Sequence, residues 1–260
     1  MRFHPLRLRR WLALLCLALL AAAAAAQKPP AAAVATAHPL ATTAARDILQ
    51  AGGNAFDAAV AASAALAVVE PYSSGIGGGG FWLLHRAEDG LQIMIDGREV
   101  APRAATPDMY LAADDGIRQR ASRDGALAAA IPGAPAAWAH IAERYGRLSL
   151  AQSLAPAIRL AREGFAVDEF YQRMVRLRLE ALRRDPQAAA IFLADNEVPP
   201  VGWKLRQPDL ARTLERLAAE GAAGFYRGEL AKRLVAAVRA ANGIWSEQDL
   251  ADYTVQERPP

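Results

Sequence analysis

The order of its elements predicts an α+β fold for this 260-residue chain: two helices, one β-hairpin and then a long succession of helices. Apolar residues recur at helical spacing before residue 70 and again from 135 to 252, and two short apolar runs flank an Asp-Gly turn in between. Residues 34–36 read as the start of a strand. In residues 39–50, Leu40, Ala44, Ile48 and Leu49 fall near helical spacing, and Gly52-Gly53 provides a left-handed stop. Asn54 then restarts the chain three residues before Asp57, the spacing of a capping box. The stretch that follows, to Val69, is apolar almost all round apart from Asp57 and Ser63. That predicts a helix buried between layers, ended by Glu70-Pro71. FWLLHRA and LQIMID on either side of Glu88-Asp89-Gly90 predict a β-hairpin. Beyond it, amphipathic spans near 135–145, 150–163, 168–184, 208–220 and 229–241 stop at Gly146, Gly164, Gly221 and Gly243. Ser149 with Gln152, and Ser246 with Asp249, mark two further helix starts.

Hydrophobic residues make up 53% of the chain and charged residues 22%, a globular balance that excludes a disordered tail. The formal charge of +3 belongs to the first residues, because Arg2, Arg7, Arg9 and Arg10 lie in a segment without an acid. Without residues 1–26, 26 basic residues face 27 acidic ones, a charge of −1, and the argument for a nucleic-acid partner disappears. The arginine-rich start, the apolar residues 11–26 and the Ala24-Ala25-Ala26 end before Gln27 read as a secretory signal peptide, residues 1–26. The protein is therefore expected to be exported, periplasmic or extracellular. A membrane anchor is the competing reading, but a span needs roughly 20 strongly apolar residues and this stretch ends in alanines. Residues 27–33 read as a linker. The single cysteine, Cys16, lies in the leader, so the mature chain has no disulfide, thiolate or cysteine metal site.

The glycine run at 77–80 invites a phosphate-loop reading, which its flanks reject. A phosphate loop follows a strand and opens a helix, whereas here a helix precedes the loop and a strand follows, with no Lys-Ser/Thr. The run instead marks a backbone that passes close to another backbone or a ligand. His38, His85 and His140 are far apart and read as surface or packing residues, so no metal is expected. Asp114-Asp115 beside Gly116 reads as a solvated turn. The arginines at 173, 176, 178, 183 and 184 read as the solvated face of an amphipathic helix. Arg98 is different. It follows the second hairpin strand, where the scaffold fixes it, and a guanidinium there can grip a carboxylate through two parallel N–H···O bonds. Taken alone, an ion pair with Glu99 or Asp96 explains it equally well.

The segments AGGNAFDAAVAASAALAVVEP (51–71), SGIGGGGF (74–81) and DGREVAP (96–102), in this order, resemble the γ-glutamyltransferase (γ-glutamyl transpeptidase, glutathione hydrolase) family. The likeness continues through IPGAPAAW (131–138), YGRLSLAQSLAPAIRLAREGF (145–165), Gly224 to Gly228 and IWSEQDLADYTVQER (244–258), nearly all of 34–258. The resemblance implies an N-terminal-nucleophile hydrolase of αββα architecture, made as one precursor that cleaves itself into a large and a small subunit. It implies transfer of a γ-glutamyl group from glutathione and related amides to a threonine hydroxyl, then to water, an amino acid or a dipeptide, without metal or organic cofactor. By its place in the motif, Arg98 is the arginine that holds the substrate α-carboxylate, and Glu99 a weaker candidate that orients it. Gly77, Gly78, Gly79 and Gly80 match a structural glycine stretch, and Asn54 and Asp57 a structural cap. Gly97 stands where relatives carry a larger residue, which is expected to loosen Arg98. No Thr-Thr-His occurs, so no residue here matches the nucleophile, which is expected beyond residue 260. On this reading residues 34–260 are the N-terminal part of a catalytic domain, inactive alone and prone to aggregate through exposed sheet edges. A related cephalosporin or glutaryl acylase, and a non-catalytic exported remnant, are the alternatives.

Overall fold

The computed structural model of the chain describes residues 32–112 and 116–260. The leader, Cys16, most of the linker and the Asp114-Asp115 turn lie outside the described residues. Among the described residues, no helix is long and apolar enough to cross a membrane.

Residues 34–36 form no strand; they lead into helix α1 (Pro39–Gln50). The reason is local. Thr36 Oγ donates to the His38 carbonyl at 2.8 Å, and His38 Nδ1 accepts from Leu40 N–H at 3.1 Å, so this segment serves as a helix cap with Pro39 at the first helical position. Gly52 ends α1 with φ +93°, as its position predicts. Helix α2 (Ala55–Val69) starts at Asn54 with a complete capping box. Most of its alanine-rich surface is buried, with Val60, Ala61, Ala64, Ala65 and Val68 fully enclosed and a partly exposed stripe at Ala59, Ala62 and Leu66, and α1 lies against it. Small side chains permit that close approach.

The predicted hairpin is strands β1 (Gly80–Arg86) and β2 (Leu91–Gly97), paired antiparallel with Arg86 opposite Leu91 and Gly80 opposite Gly97. Pleating separates the faces. Trp82, Leu84, Ile93 and Ile95 face inward, and Ile95 is fully buried, while Phe81 and Leu83 stand 57% and 69% exposed on the other face. Helix α3 (Ala134–Tyr145) packs on the inner face, where buried Trp138 donates its indole N–H to Ser63 Oγ at 2.8 Å. Helix α4 (Leu150–Glu163) opens with the Ser149/Gln152 capping box and packs between α2 and helix α7 (Pro208–Glu220). Gln207, just before α7, is buried and donates to the Val68 carbonyl at 2.8 Å, which ties α7 to the end of α2.

Between α4 and α7, β3 (Phe165–Ala166) pairs with β4 (Lys204–Leu205) around α5 (Glu169–Arg183) and α6 (Pro186–Phe192). The α5 arginines are not simply a solvated face. Arg178 reaches Asp124 at 2.6 Å, Arg184 reaches the same carboxylate at 3.5 Å, and Arg183 binds Glu197 and the Asn196 carbonyl. The chain continues through α8 (Ala223–Tyr226), α9 (Gly228–Ala240) and α10 (Glu247–Ala251), whose start carries the predicted Ser246/Asp249 box. Asn242, with φ +64°, supplies the turn after α9 that was expected of Gly243. Strand β5 (Gln256–Arg258), unseen in the sequence pattern, pairs antiparallel with β2, giving the order β1-β2-β5. Ala35–Pro260 form one compact unit, an α+β arrangement with helices on one face of this sheet.

Asp57 holds the start of α2 to the turn between α3 and α4. Fully buried, its carboxylate accepts from Asn54 N–H at 2.8 Å, Arg147 N–H at 2.9 Å and Leu148 N–H at 3.3 Å. Asp57→Ala would leave these donors unpaired, and a loss of about 3 kcal/mol or more is expected. Urea unfolding checks it, and a loss below about 1 kcal/mol would show that water or rearrangement satisfies them.

Glu257 clasps β5 to α3: its Oε1 accepts from the Tyr145 hydroxyl at 2.7 Å, meets His140 Nε2 at 2.7 Å and lies 3.6 Å from Arg144. The Tyr145 hydrogen bond, the largest influence, holds this carboxyl below the usual glutamate range with help from the His140 hydrogen bond and the Arg144 charge, against the opposing effect of burial, which is second in size. A carboxyl lowered in the folded state stabilises above its unfolded pKa and loses that contribution as pH falls through the folded value. Tyr145→Phe should therefore move the Glu257 titration, followed by carboxyl ¹³C NMR, upward toward the ordinary value. An unmoved midpoint would remove the hydroxyl as the cause.

Candidate functional site

Three backbones cross beside the inner end of the hairpin, each at a glycine. A Cβ on Gly79 would overlap the Gly97 carbonyl oxygen and come within 3.1 Å of Arg98 Cα and Glu99 N. A Cβ on Gly133 would overlap the same carbonyl and the Tyr253 hydroxyl. On Gly97 it would sit 2.7 Å from Ala137 Cβ and 2.9 Å from Trp82 Cζ3. The Gly78 carbonyl closes the crossing by accepting from Gly133 N–H at 2.9 Å and Ala134 N–H at 3.0 Å. Close approach, rather than positive φ, is thus what this glycine run provides, since none of residues 77–80 adopts a left-handed backbone. Gly77 has open space around its Cβ position, so the demand is uneven along the run.

The expected loosening at Gly97 is not found. Gly97 is buried, and its lack of a side chain lets α3 and Trp82 close on the strand end, so it fixes the residue that follows.

That residue is Arg98. Its N–H donates to Asp96 Oδ1 at 3.1 Å, and its carbonyl accepts from the Tyr253 hydroxyl at 2.8 Å. Two residues on, Val100 pairs with Ile131, so the loop is held on both sides. The side chain leaves on the open face of the sheet, 55% exposed, with the guanidinium carbon 6.0 Å from the Phe81 ring centroid. Glu99 lies below it, 22% exposed, with Oε2 at 3.2 Å from Arg98 Nη1. No aligned donor reaches that oxygen, so the contact is a charge pairing rather than a hydrogen bond. Of the two partners offered by the sequence, Glu99 takes the guanidinium. Asp96 instead receives the Arg98 backbone and pairs with Arg258 Nε at 2.8 Å.

Sequence reasoning missed Tyr253 and Gly133 as individual contributors, and offered Asp96 only as a partner of the guanidinium rather than of the Arg98 N–H. Tyr253 stacks on Tyr226 with ring centroids 5.4 Å apart and planes 9° from parallel. Tyr226 in turn donates its hydroxyl to the Pro132 carbonyl at 2.8 Å. Burial, followed by the charges of Asp96 and Glu99, pushes the Tyr253 hydroxyl up to about 12, which keeps it a donor across the ordinary pH range. The three histidines among the described residues are dispersed. His38 caps α1, His85 is exposed on β1, and His140 meets Glu257. Among the described residues no group of three His, Cys, Asp or Glu side chains converges as a metal site would require.

Fold and site together define an α+β protein that presents a rigidly mounted arginine on the open face of a three-stranded sheet. Residues 41–260 match the family described as Gamma-glutamyltranspeptidase, and the chain belongs to that family. A glutathione hydrolase proenzyme from Pseudomonas sp. (strain A14) is 40% identical over 226 residues, which cover 86% of this chain and 39% of that protein. The acylase ACY 1 proenzyme of Pseudomonas sp. (strain V22) is 42% identical over 232 residues, covering 86% and 41%. Among solved structures, Helicobacter pylori gamma-glutamyltranspeptidase superposes with a TM-score of 0.86 at 35% identity, covering 90% of this chain and 67% of that one. Cephalosporin acylase from Bacillus halodurans superposes at 0.77, also at 35% identity, covering 89% and 46%. The chain spans about two fifths of the length of the curated relatives it matches.

Because the Gly79 site has no room for a methyl group, Gly79→Ala must push the glycine run off the Gly97-Arg98 peptide. A destabilisation of about 1–3 kcal/mol is expected, the range for overpacking a tight site. Gly77→Ala should change stability by less than about 0.5 kcal/mol, as at other unconstrained surface positions. Equal thermal midpoints for the two variants would contradict the close crossing.

Proposed function

We propose that this chain is the part of a γ-glutamyltransferase that grips the α-carboxylate of the donor. The observation that carries the reading is the mounting of Arg98: an exposed guanidinium whose own backbone is held at both N–H and C=O. A fork of that kind matches a carboxylate through two parallel hydrogen bonds and loses little freedom when it does so. Glu99 is assigned the task of orienting the arginine, since its charge sits against the guanidinium from the buried side.

The complete protein, on this reading, takes γ-glutamyl amides such as glutathione. A threonine hydroxyl attacks the γ-carbonyl while its proton passes to the α-amine of the same residue. The tetrahedral intermediate collapses, the amine leaves with a proton, and a γ-glutamyl ester remains. Water, an amino acid or a dipeptide then attacks that ester. The nucleophile is assigned to a small subunit made from the same precursor, and the bare outer face of β1, with Phe81 and Leu83 exposed, supports a covering partner of that kind. The leader at residues 1–26 supports export to the periplasm or the medium.

A related acylase is the second reading, favoured by the similarity to acylase ACY 1 proenzymes and to a cephalosporin acylase structure. A glutaryl donor also presents a carboxylate, so Arg98 serves both. The protein made from its complete reading frame should release aniline from a γ-glutamyl anilide faster than from a glutaryl anilide; the reverse order would favour the acylase. In the same protein Arg98→Lys should lower kcat/KM for the γ-glutamyl donor by about 2 kcal/mol, roughly 30-fold, because an ammonium cannot reproduce the two-pronged contact. Unchanged kinetic constants would remove Arg98 from the site.

A further inference from the structure

The last turn and strand of the chain converge on the Arg98 loop from one side. Arg103 N–H, five residues past Arg98, donates to Asp249 Oδ1 at 3.0 Å, and the Arg103 side chain pairs with Asp252. Arg258 pairs with Asp96, whose other oxygen receives the Arg98 N–H. Between them Tyr253 places its hydroxyl on the Arg98 carbonyl at 2.8 Å, passing through the space that a side chain on Gly133 would fill. Its ring is fixed by stacking on Tyr226, which is itself anchored to Pro132 and receives the Ala136 N–H. A side chain held this firmly at one end and bonded to a single peptide at the other sets where that peptide lies.

We infer that Tyr253 is a positioning residue for the carboxylate grip: its hydroxyl, bonded to the Arg98 carbonyl, sets the reach and direction of the Arg98 guanidinium toward the donor. Arg98 would be the only group of the two to touch substrate. The inference rests on the reading of Arg98 as the carboxylate-binding residue. It adds that the register of the segment 249–258, more than 150 residues away in sequence, decides how well that arginine performs.

The test compares two donors in the protein made from its complete reading frame: a γ-glutamyl anilide, and a 4-aminobutanoyl anilide that lacks only the α-carboxylate. Tyr253→Phe should raise KM for the γ-glutamyl donor about tenfold with kcat within about twofold, the cost of a misplaced binding group. With the 4-aminobutanoyl donor it should change neither constant. Arg98→Ala should show the same selectivity more strongly. Tyr171→Phe, measured with thermal midpoints, is the control: it loses a tyrosine hydroxyl bond to the Phe192 carbonyl that forms no part of the Arg98 cluster, and should lower the midpoint with no discrimination between donors. If Arg98→Ala is selective but Tyr253→Phe affects both donors alike, or neither, the positioning role falls and the carboxylate grip stands. If Arg98→Ala is itself unselective, the reading of Arg98 fails, and this inference with it.

Discussion

The structure around Arg98 depends on one steric constraint: two other chain segments must pass within contact distance of the Gly97 carbonyl. Gly79 comes from the loop after α2, Gly97 from the end of β2, and Gly133 from the start of α3. A Cβ on Gly79 or Gly133 would displace the Gly97 carbonyl, and one on Gly97 would press on Ala137 and the Trp82 ring, so in this chain the crossing is as close as it is because glycine stands at all three places. Its consequence is stiffness. The peptide that bears Arg98 cannot shift without moving the hairpin, the glycine run and α3 together, and the packing of Trp82 and Ala137 against Gly97 opposes that.

The same crossing separates two environments that the chain keeps apart. Inward from the sheet lie Ile95, Ile131, Trp138 and the alanine face of α2, an apolar interior in which the Trp138 indole and the Gln207 amide are paired with Ser63 and the Val68 carbonyl. Outward lie Phe81, Leu83 and the Arg98 guanidinium. A period of two along β1 and β2 makes this division automatic. One strand end therefore supplies both a buried glycine and, at the next position, an exposed cation.

What the sequence made legible was local. Capping boxes at Asn54/Asp57, Ser149/Gln152 and Ser246/Asp249 involve groups three residues apart, and each forms as the spacing indicates. The hairpin turn and the long amphipathic helices are read the same way, because their signal lies within a window of a dozen residues. Short elements were missed, α6 and β5 among them, since seven or three residues carry too little periodicity to stand out. Residues 34–36 misled for a related reason: β-branched side chains suggest a strand, but no neighbouring strand is available there, and the Thr36 and His38 side chains cap a helix instead.

The Arg98 site divides along the same line. Arg98 and Glu99 are visible in the sequence because they are adjacent to each other and to a strand end. Their supports are not, because Tyr253 and Arg258 reach them across more than 150 positions through contacts that no periodicity encodes. Gly97 shows how far this can invert a reading. In sequence it is a missing side chain and suggests slack, whereas in the fold the empty volume is occupied by Ala137 and Trp82 and produces the opposite. A glycine loosens a chain only where nothing else fills the space it leaves, and here two other segments do. The rigidity of the arginine is therefore a property of the crossing as a whole, and the residues that set it lie in β1, α3 and the segment 249–258, none of which touches the carboxylate assigned to it.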